Sequence, residues 1–161
     1  MSAPFDDILV YLDGSEGSMA ASMYAILLAK ETGARLHGVY VINTKALGDL
    51  VKAHVFISSE RAEFLEELKA DARRHVRHLE KIAAKKNIAV ETEILEGSPS
   101  AEVLKYVRAN SIDMLVIGQL NMIRSRREEL ANENERMLRS VPCPVFVAKD
   151  SDEIWNMFEE I

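Results

Sequence analysis

The sequence predicts an α/β domain with a doubly wound sheet and helices on both faces. Three observations carry that expectation. The apolar runs Ile8–Leu12 and Ile112–Gly118 are short, rich in branched residues and unalternated, as strands buried on both faces are. Stretches of helical spacing separate the apolar runs, which is the pattern of βαβ units. With 161 residues, 48% hydrophobic and 29% charged, the chain suits one domain with a single sizeable core.

Taken in order, Ile8–Leu12 is the first strand and Asp13-Gly14-Ser15-Glu16-Gly17-Ser18 a tight turn, with Ser15 and Ser18 as N-cap candidates. A helix to about Thr32 presents Ala21, Tyr24, Ala25 and Leu28 on one face and stops at Gly33. Leu36–Ile42 is the second strand, completing a βαβ unit whose crossover should be right-handed. Between Asn43 and Ser58 the residues Leu47, Leu50, Val51, Val55, Phe56 and Ile57 are too apolar for a solvated linker and too irregular for a strand. A partly helical loop packed on the domain, or on a partner, is expected there.

Ser58 or Ser59 caps a long helix to about Lys86, with Ala62, Leu65, Leu68, Ala72, Val76, Leu79 and Ala83 as its inner stripe. That stripe is too short for many heptads, so a surface helix over the sheet is expected rather than a coiled coil. His75 and His78 stand on it beside Arg73, Arg74 and Arg77, with no third ligand at metal-binding spacing. Val90–Leu95 is the third strand; Ser98 then caps a helix with Pro99 at its first position, ending near Asn110. The fourth strand ends at Gly118, and a polar loop and a helical segment follow. Val145–Ala148, fenced by Pro142 and Pro144, suits an edge strand. Residues 1–150 form the domain, and 151–161 are an amphipathic tail helix in which Ile154, Trp155, Phe158 and Ile161 share helical spacing. The lone Trp should dock on the chain's own body or, failing that, on a partner subunit.

A net charge of −6 and a pI near 5.3 disfavour nucleic acid and anionic membranes as partners. A single cysteine, Cys143, fits a reducing compartment, and no signal peptide or membrane-spanning run is evident, so a cytoplasmic location is expected. Cys143 between two prolines reads as packing rather than as a nucleophile. No Gly-Lys-Ser/Thr phosphate loop occurs, and Asp13–Gly17 lacks the dinucleotide fingerprint. Nothing in the pattern argues for catalysis.

What remains is a cleft at the carboxyl edge of the sheet, where open α/β sheets bind ligands. Asp13 to Ser15, Val41 to Asn43 and the residues from Gly118 onward would meet there. Amides at helix starts suit phosphate, and a carboxylate such as Asp13 suits ribose hydroxyls or a base amino group. The same residues are also the turns and caps that any α/β domain needs.

Four stretches add a resemblance. Ile8-Leu9-Val10-Tyr11-Leu12-Asp13-Gly14-Ser15, Glu96-Gly97-x-Pro99, Ile112-Asp113-Met114-Leu115-Val116-Ile117-Gly118 and Leu138-Arg139-x-x-Pro142-Cys143-Pro144-Val145 occur in order. Over residues 5–149 the chain resembles the universal stress protein family. The resemblance implies a five-stranded parallel sheet in the order 3-2-1-4-5, of the adenine-nucleotide alpha-hydrolase-like kind. It implies a homodimer through the last strand, whose open edge suits that contact. It also implies that Asp13 and the backbone at Val41 hold the adenosine end of ATP or AMP, with magnesium.

ATP-binding members resemble one another in a loop of Gly, two residues, Gly, nine residues, then Gly and Ser or Thr. Here Gly118 is kept, while Asn121 and the pair Ala131-Asn132 replace the rest. Asn121 tolerates a left-handed bend, whereas the methyl of Ala131 obstructs close approach of a phosphate to the backbone. Asn132 could donate through its amide or simply cap the next helix. Arg124-Ser125-Arg126-Arg127 reads as a solvated loop partly balanced by Glu128 and Glu129; the sharper alternative has Arg124 and Arg127 gripping phosphate. The leading expectation is therefore a non-catalytic, cytoplasmic stress-response dimer with weakened or absent nucleotide binding. The alternative is an ATP or AMP sensor that regulates an unknown protein partner through its conformation; slow ATP hydrolysis ranks last.

Overall fold

A computed structural model of the chain describes residues 4–52, 58–120 and 132–161. Five strands form one sheet: β1 (Asp7–Leu12), β2 (Arg35–Ile42), β3 (Val90–Glu96), β4 (Met114–Gly118) and β5 (Val145–Ala148). Their spatial order is β3-β2-β1-β4-β5 and every pairing is parallel, as the resemblance implied. The six residues of β1 are all buried, which accounts for their lack of alternation.

The helices are α1 (Glu16–Thr32), α2 (Thr44–Lys52), α3 (Ser58–Lys85), α4 (Pro99–Ala109), α5 (Glu133–Ser140) and α6 (Asp152–Glu160). α1, α3 and α6 pack on one face around Ile8, Val10 and Leu12. α4 and α5 pack on the other around Leu9, Tyr11, Leu115 and Ile117. The sheet is thus covered on both sides, and its strand order reverses between β1 and β4.

Three local expectations change on folding. On α1 only Ala21 and Ala25 of the expected face are enclosed, Tyr24 and Leu28 being half-buried, while Ala20, Ser22, Met23, Ile26 and Leu27 are buried beyond it and α6 packs on the helix. In that tail helix Ile154 and Phe158 join the core while Trp155 stays 42% exposed and donates from Nε1 to Asp150 at 3.3 Å. The stripe on α3 is buried only in its second half: Ala72, Val76, Leu79 and Ala83 are enclosed, Leu65 and Leu68 only half so, and Ala62 is exposed. The reason is length. Lys69 pairs with Glu96, the last residue of β3, at 3.7 Å. Residues 58–68 therefore run beyond the sheet, by roughly 16 Å at the α-helical rise. Finally, residues 44–52 are helical, with Leu47 buried, whereas residues 53–57 of the expected partly helical loop lie outside the described residues.

Among the described residues, no helix is long and apolar enough to cross a membrane.

Candidate functional site

The strands end together at Leu12, Ile42, Glu96, Gly118 and Ala148, and the reversal of strand order opens the carboxyl edge beside β1. The turn after β1 is built by its own side chains. Asp13 Oδ1 accepts from the Ser15 backbone N–H at 2.9 Å and from the Ser15 hydroxyl. Ser15 Oγ in turn accepts from the Ser18 N–H at 3.1 Å, which makes Ser15 the N-cap of α1. Ser18, the other cap candidate, lies inside the helix and donates its hydroxyl to the Ser15 carbonyl. Asp13 itself remains exposed, and its Oδ2 is taken by no partner among the described residues.

Gly14 has φ +81, a left-handed conformation that glycine adopts without strain. A Cβ there would also stand 2.8 Å from His75 Nε2, so α3 closes over the turn. The His75 ring lies parallel to that of Tyr40, with centroids 5.7 Å apart, and its Nε2 is 3.4 Å from Asp71 Oδ2. Burial, together with the charges of Asp71 and Asp13, pushes the Tyr40 hydroxyl pKa up. No spacing rule in the sequence links position 14 to position 75; the contact depends on where α3 crosses the sheet edge.

Val41 is buried, and its backbone is the part that reaches the edge. Arg35 N–H donates to the Asp6 carbonyl on the β1 side at 2.8 Å, and the Ile42 carbonyl accepts from Gly97 N–H on the β3 side at 3.0 Å. Alternation along the strand therefore turns the Val41 carbonyl toward β1. The last β1–β2 pair is Leu12 with Tyr40, so that carbonyl looks onto the Asp13–Ser15 turn.

On the far side of β1, Gly118 packs against the start of α1. A Cβ at 118 would be 2.7 Å from the Gly17 carbonyl carbon and 2.9 Å from its oxygen. Glycine is thus demanded at 118 by backbone contact alone, whatever ligand the loop holds. Nothing in the sequence spacing relates Gly118 to Gly17. Asn121, Arg124, Arg127 and Ala131 lie outside the described residues. Asn132 is described, and its Oδ1 accepts from Glu135 N–H at 3.2 Å as the N-cap of α5. Its neighbour Glu133 accepts from Ser100 N–H at 2.9 Å, satisfying the start of α4. Ser98 occupies the N-cap place of α4 but makes no side-chain capping bond, so that expected role passes to a carboxylate from another helix.

Among the described residues no group of three or more His, Cys, Asp or Glu could hold a metal ion. Burial pushes the Cys143 thiol pKa up, which keeps it in its unreactive protonated form.

A family model of the universal stress proteins matches residues 4–149. The chain belongs to the universal stress protein family. The universal stress protein MJ0531 of Methanocaldococcus jannaschii is 29% identical over 147 residues, which is 90% of this chain and 82% of that protein. Among solved structures, the hypothetical protein MJ0577 superimposes with a TM-score of 0.72 at 17% identity, over 92% of this chain and 98% of that one. The universal stress protein from Archaeoglobus fulgidus in complex with dAMP gives 0.63 at 14% identity, over 90% and 98% of the two chains. At such identities the structural likeness is one of fold, which this universal stress protein shares over nearly its whole length.

Proposed function

We propose that this universal stress protein is a non-catalytic, cytoplasmic homodimer that responds to an adenine nucleotide, holding the nucleoside end well and the triphosphate weakly. One observation carries the reading: the Val41 carbonyl turns toward the end of β1, where Asp13 follows with one oxygen unpartnered among the described residues. A carbonyl acceptor suits the exocyclic amino group of adenine, and a carboxylate suits a ribose hydroxyl. The dAMP complex of the Archaeoglobus fulgidus protein supports a nucleotide of this class on this fold.

At the phosphate end, the polar groups are already spent or replaced. The side-chain oxygen of Asn132 is committed to capping α5, and Glu133 brings a negative charge directly after it. Asn121 and Ala131 stand where binders of the family carry glycine. Calorimetry with AMP, ATP and ATP plus magnesium tests the proposal: the three should bind within about threefold of one another. ATP binding a hundredfold tighter than AMP, about 2.7 kcal/mol, would overturn the weakened phosphate grip. No ligand binding at all would overturn the nucleotide response.

The dimer reading rests on the two edges of the sheet. β3 carries Glu91, Glu93 and Glu96 in exposed positions, a charged edge that resists pairing. β5 is Val-Phe-Val-Ala, with three of its four residues half-buried and no charge. An antiparallel contact between two copies of β5 would satisfy its open backbone groups. Light scattering that shows a monomer at high concentration counts against it.

A further inference from the structure

We infer that His75 acts with Asp13 as a ribose-reading pair, so that the cleft discriminates ribonucleotides from their deoxy analogues. The inference rests on the nucleotide reading above and adds a residue from α3 to it.

His75 has the features of a placed ligand contact rather than a solvated helix residue. Its ring is held between the parallel Tyr40 ring and the Gly14 turn, and Nε2 is the ring atom nearest the place that a Cβ on residue 14 would take. Asp71 Oδ2 is 3.4 Å from that nitrogen, longer than a good N–H···O bond. Asp71 is at the same time drawn to Arg74, whose guanidinium donates to its other oxygen at 2.6 Å. At 3.4 Å the contact between Nε2 and that carboxylate is weak, so a ligand oxygen can take its place. The side chain is 31% exposed, so the ring edge is within reach of solvent or ligand.

Asp13 supplies the complementary half. Its Oδ1 is used in the turn and its Oδ2 is an acceptor with no described partner. The charges of Asp13 and Asp71 both act on the hydroxyl of Tyr40, whose ring stacks on His75. A donor and an acceptor at one turn match the two hydroxyls of a ribose, each of which can give and accept a hydrogen bond. A deoxyribose lacks one of them and leaves either the N–H or the carboxylate oxygen without its partner.

The test measures dissociation constants of AMP, 2′-deoxy-AMP and 3′-deoxy-AMP on the full chain and on two variants. The unaltered chain should bind AMP about fivefold to tenfold more tightly than at least one deoxy analogue, the worth of one hydrogen bond. His75→Ala should bring that ratio to about one, and His75→Gln, which restores a donor, should recover part of it. Each ratio is taken within one protein, so a loss of stability in a variant does not mimic the effect. Equal affinities in the unaltered chain, or a ratio that persists in His75→Ala, would overturn the ribose-reading pair while leaving nucleotide binding intact. Failure of all three ligands to bind the unaltered chain would overturn both readings. A ligand-induced shift of the His75 imidazole resonances, absent when adenine base alone is added, reads the contact directly.

Discussion

The two ends of the sheet use the same kinds of polar residue to opposite effect. At the amino end, Asp7 on β1 accepts from both Arg35 Nε and Nη2 at 2.9 and 2.8 Å and pairs with His37 Nε2 at 2.9 Å. His37 Nδ1 meets the Tyr106 hydroxyl of α4 at 2.9 Å, and Glu91 stands 3.7 Å from the same nitrogen. Asp7, His37 and Tyr106 are all buried, and every polar group finds a partner inside the molecule. At the carboxyl end, Asp13 is exposed with one oxygen unpartnered among the described residues, and the contact of His75 Nε2 with Asp71 is long, at 3.4 Å. A fully satisfied polar cluster ties elements together, whereas a partly satisfied one at an opening can still bind something. The amino end of this protein is a staple; the carboxyl end is the candidate site.

That contrast can be broken in four places, taken from the largest expected effect. Gly118→Val should destabilise the fold by about 3 kcal/mol, because its side chain would meet backbone rather than a movable side chain. Urea denaturation measures this, and a loss under about 0.5 kcal/mol would show that the β4–α1 contact is looser than the structure has it. His37→Ala leaves Asp7 and Tyr106 facing a gap and should cost about 2 kcal/mol with no change in nucleotide affinity. A large change in affinity would mean that the amino-end cluster is coupled to the cleft.

Acid should act on the same cluster. The hydrogen bonds from Arg35, more than those from His37, hold the Asp7 carboxyl below its ordinary range, against the upward push of burial. A group lowered by folding stabilises fully above its unfolded value and loses that contribution as pH falls through the folded one. Stability should therefore drop as pH falls below about 4, and Asp7→Asn should flatten that part of the curve. An unchanged acid limb in thermal melts would remove Asp7 from the account. The smallest effect on folding belongs to the carboxyl end. Asp13→Ala should weaken AMP about tenfold while shifting stability by less than about 1 kcal/mol, since Ser15 still caps α1. A variant that loses more stability than this but still binds AMP normally would reverse the assignment of the two ends.

Local pattern was enough for much of the fold. The unalternated runs of β1 and β4, Gly33 closing α1 with φ +75 and Pro99 opening α4 all correspond to what is seen. It misled where burial came from a distant element. The tail helix widened the buried face of α1, and the overhang of α3 left Leu65 and Leu68 only half-enclosed. The turn of Asp13, Gly14 and Ser15 was legible because a strand end followed by Gly and Ser is a local sign. His75 over Gly14, Gly17 against Gly118 and Glu133 on α4 were not, since each joins segments that no periodicity relates.

Taken alone, the order of apolar runs and breakers determined the α/β architecture and the turn that carries Asp13, while four short motifs in order carried the resemblance to the family. Each of these depends on residues within one element or one turn, where spacing and backbone preference act directly. Tertiary structure decided which polar groups were used up and which were left available. That choice turns on distances between residues such as 7, 37 and 106, or 14 and 75, which only the packing of helices across a sheet can set.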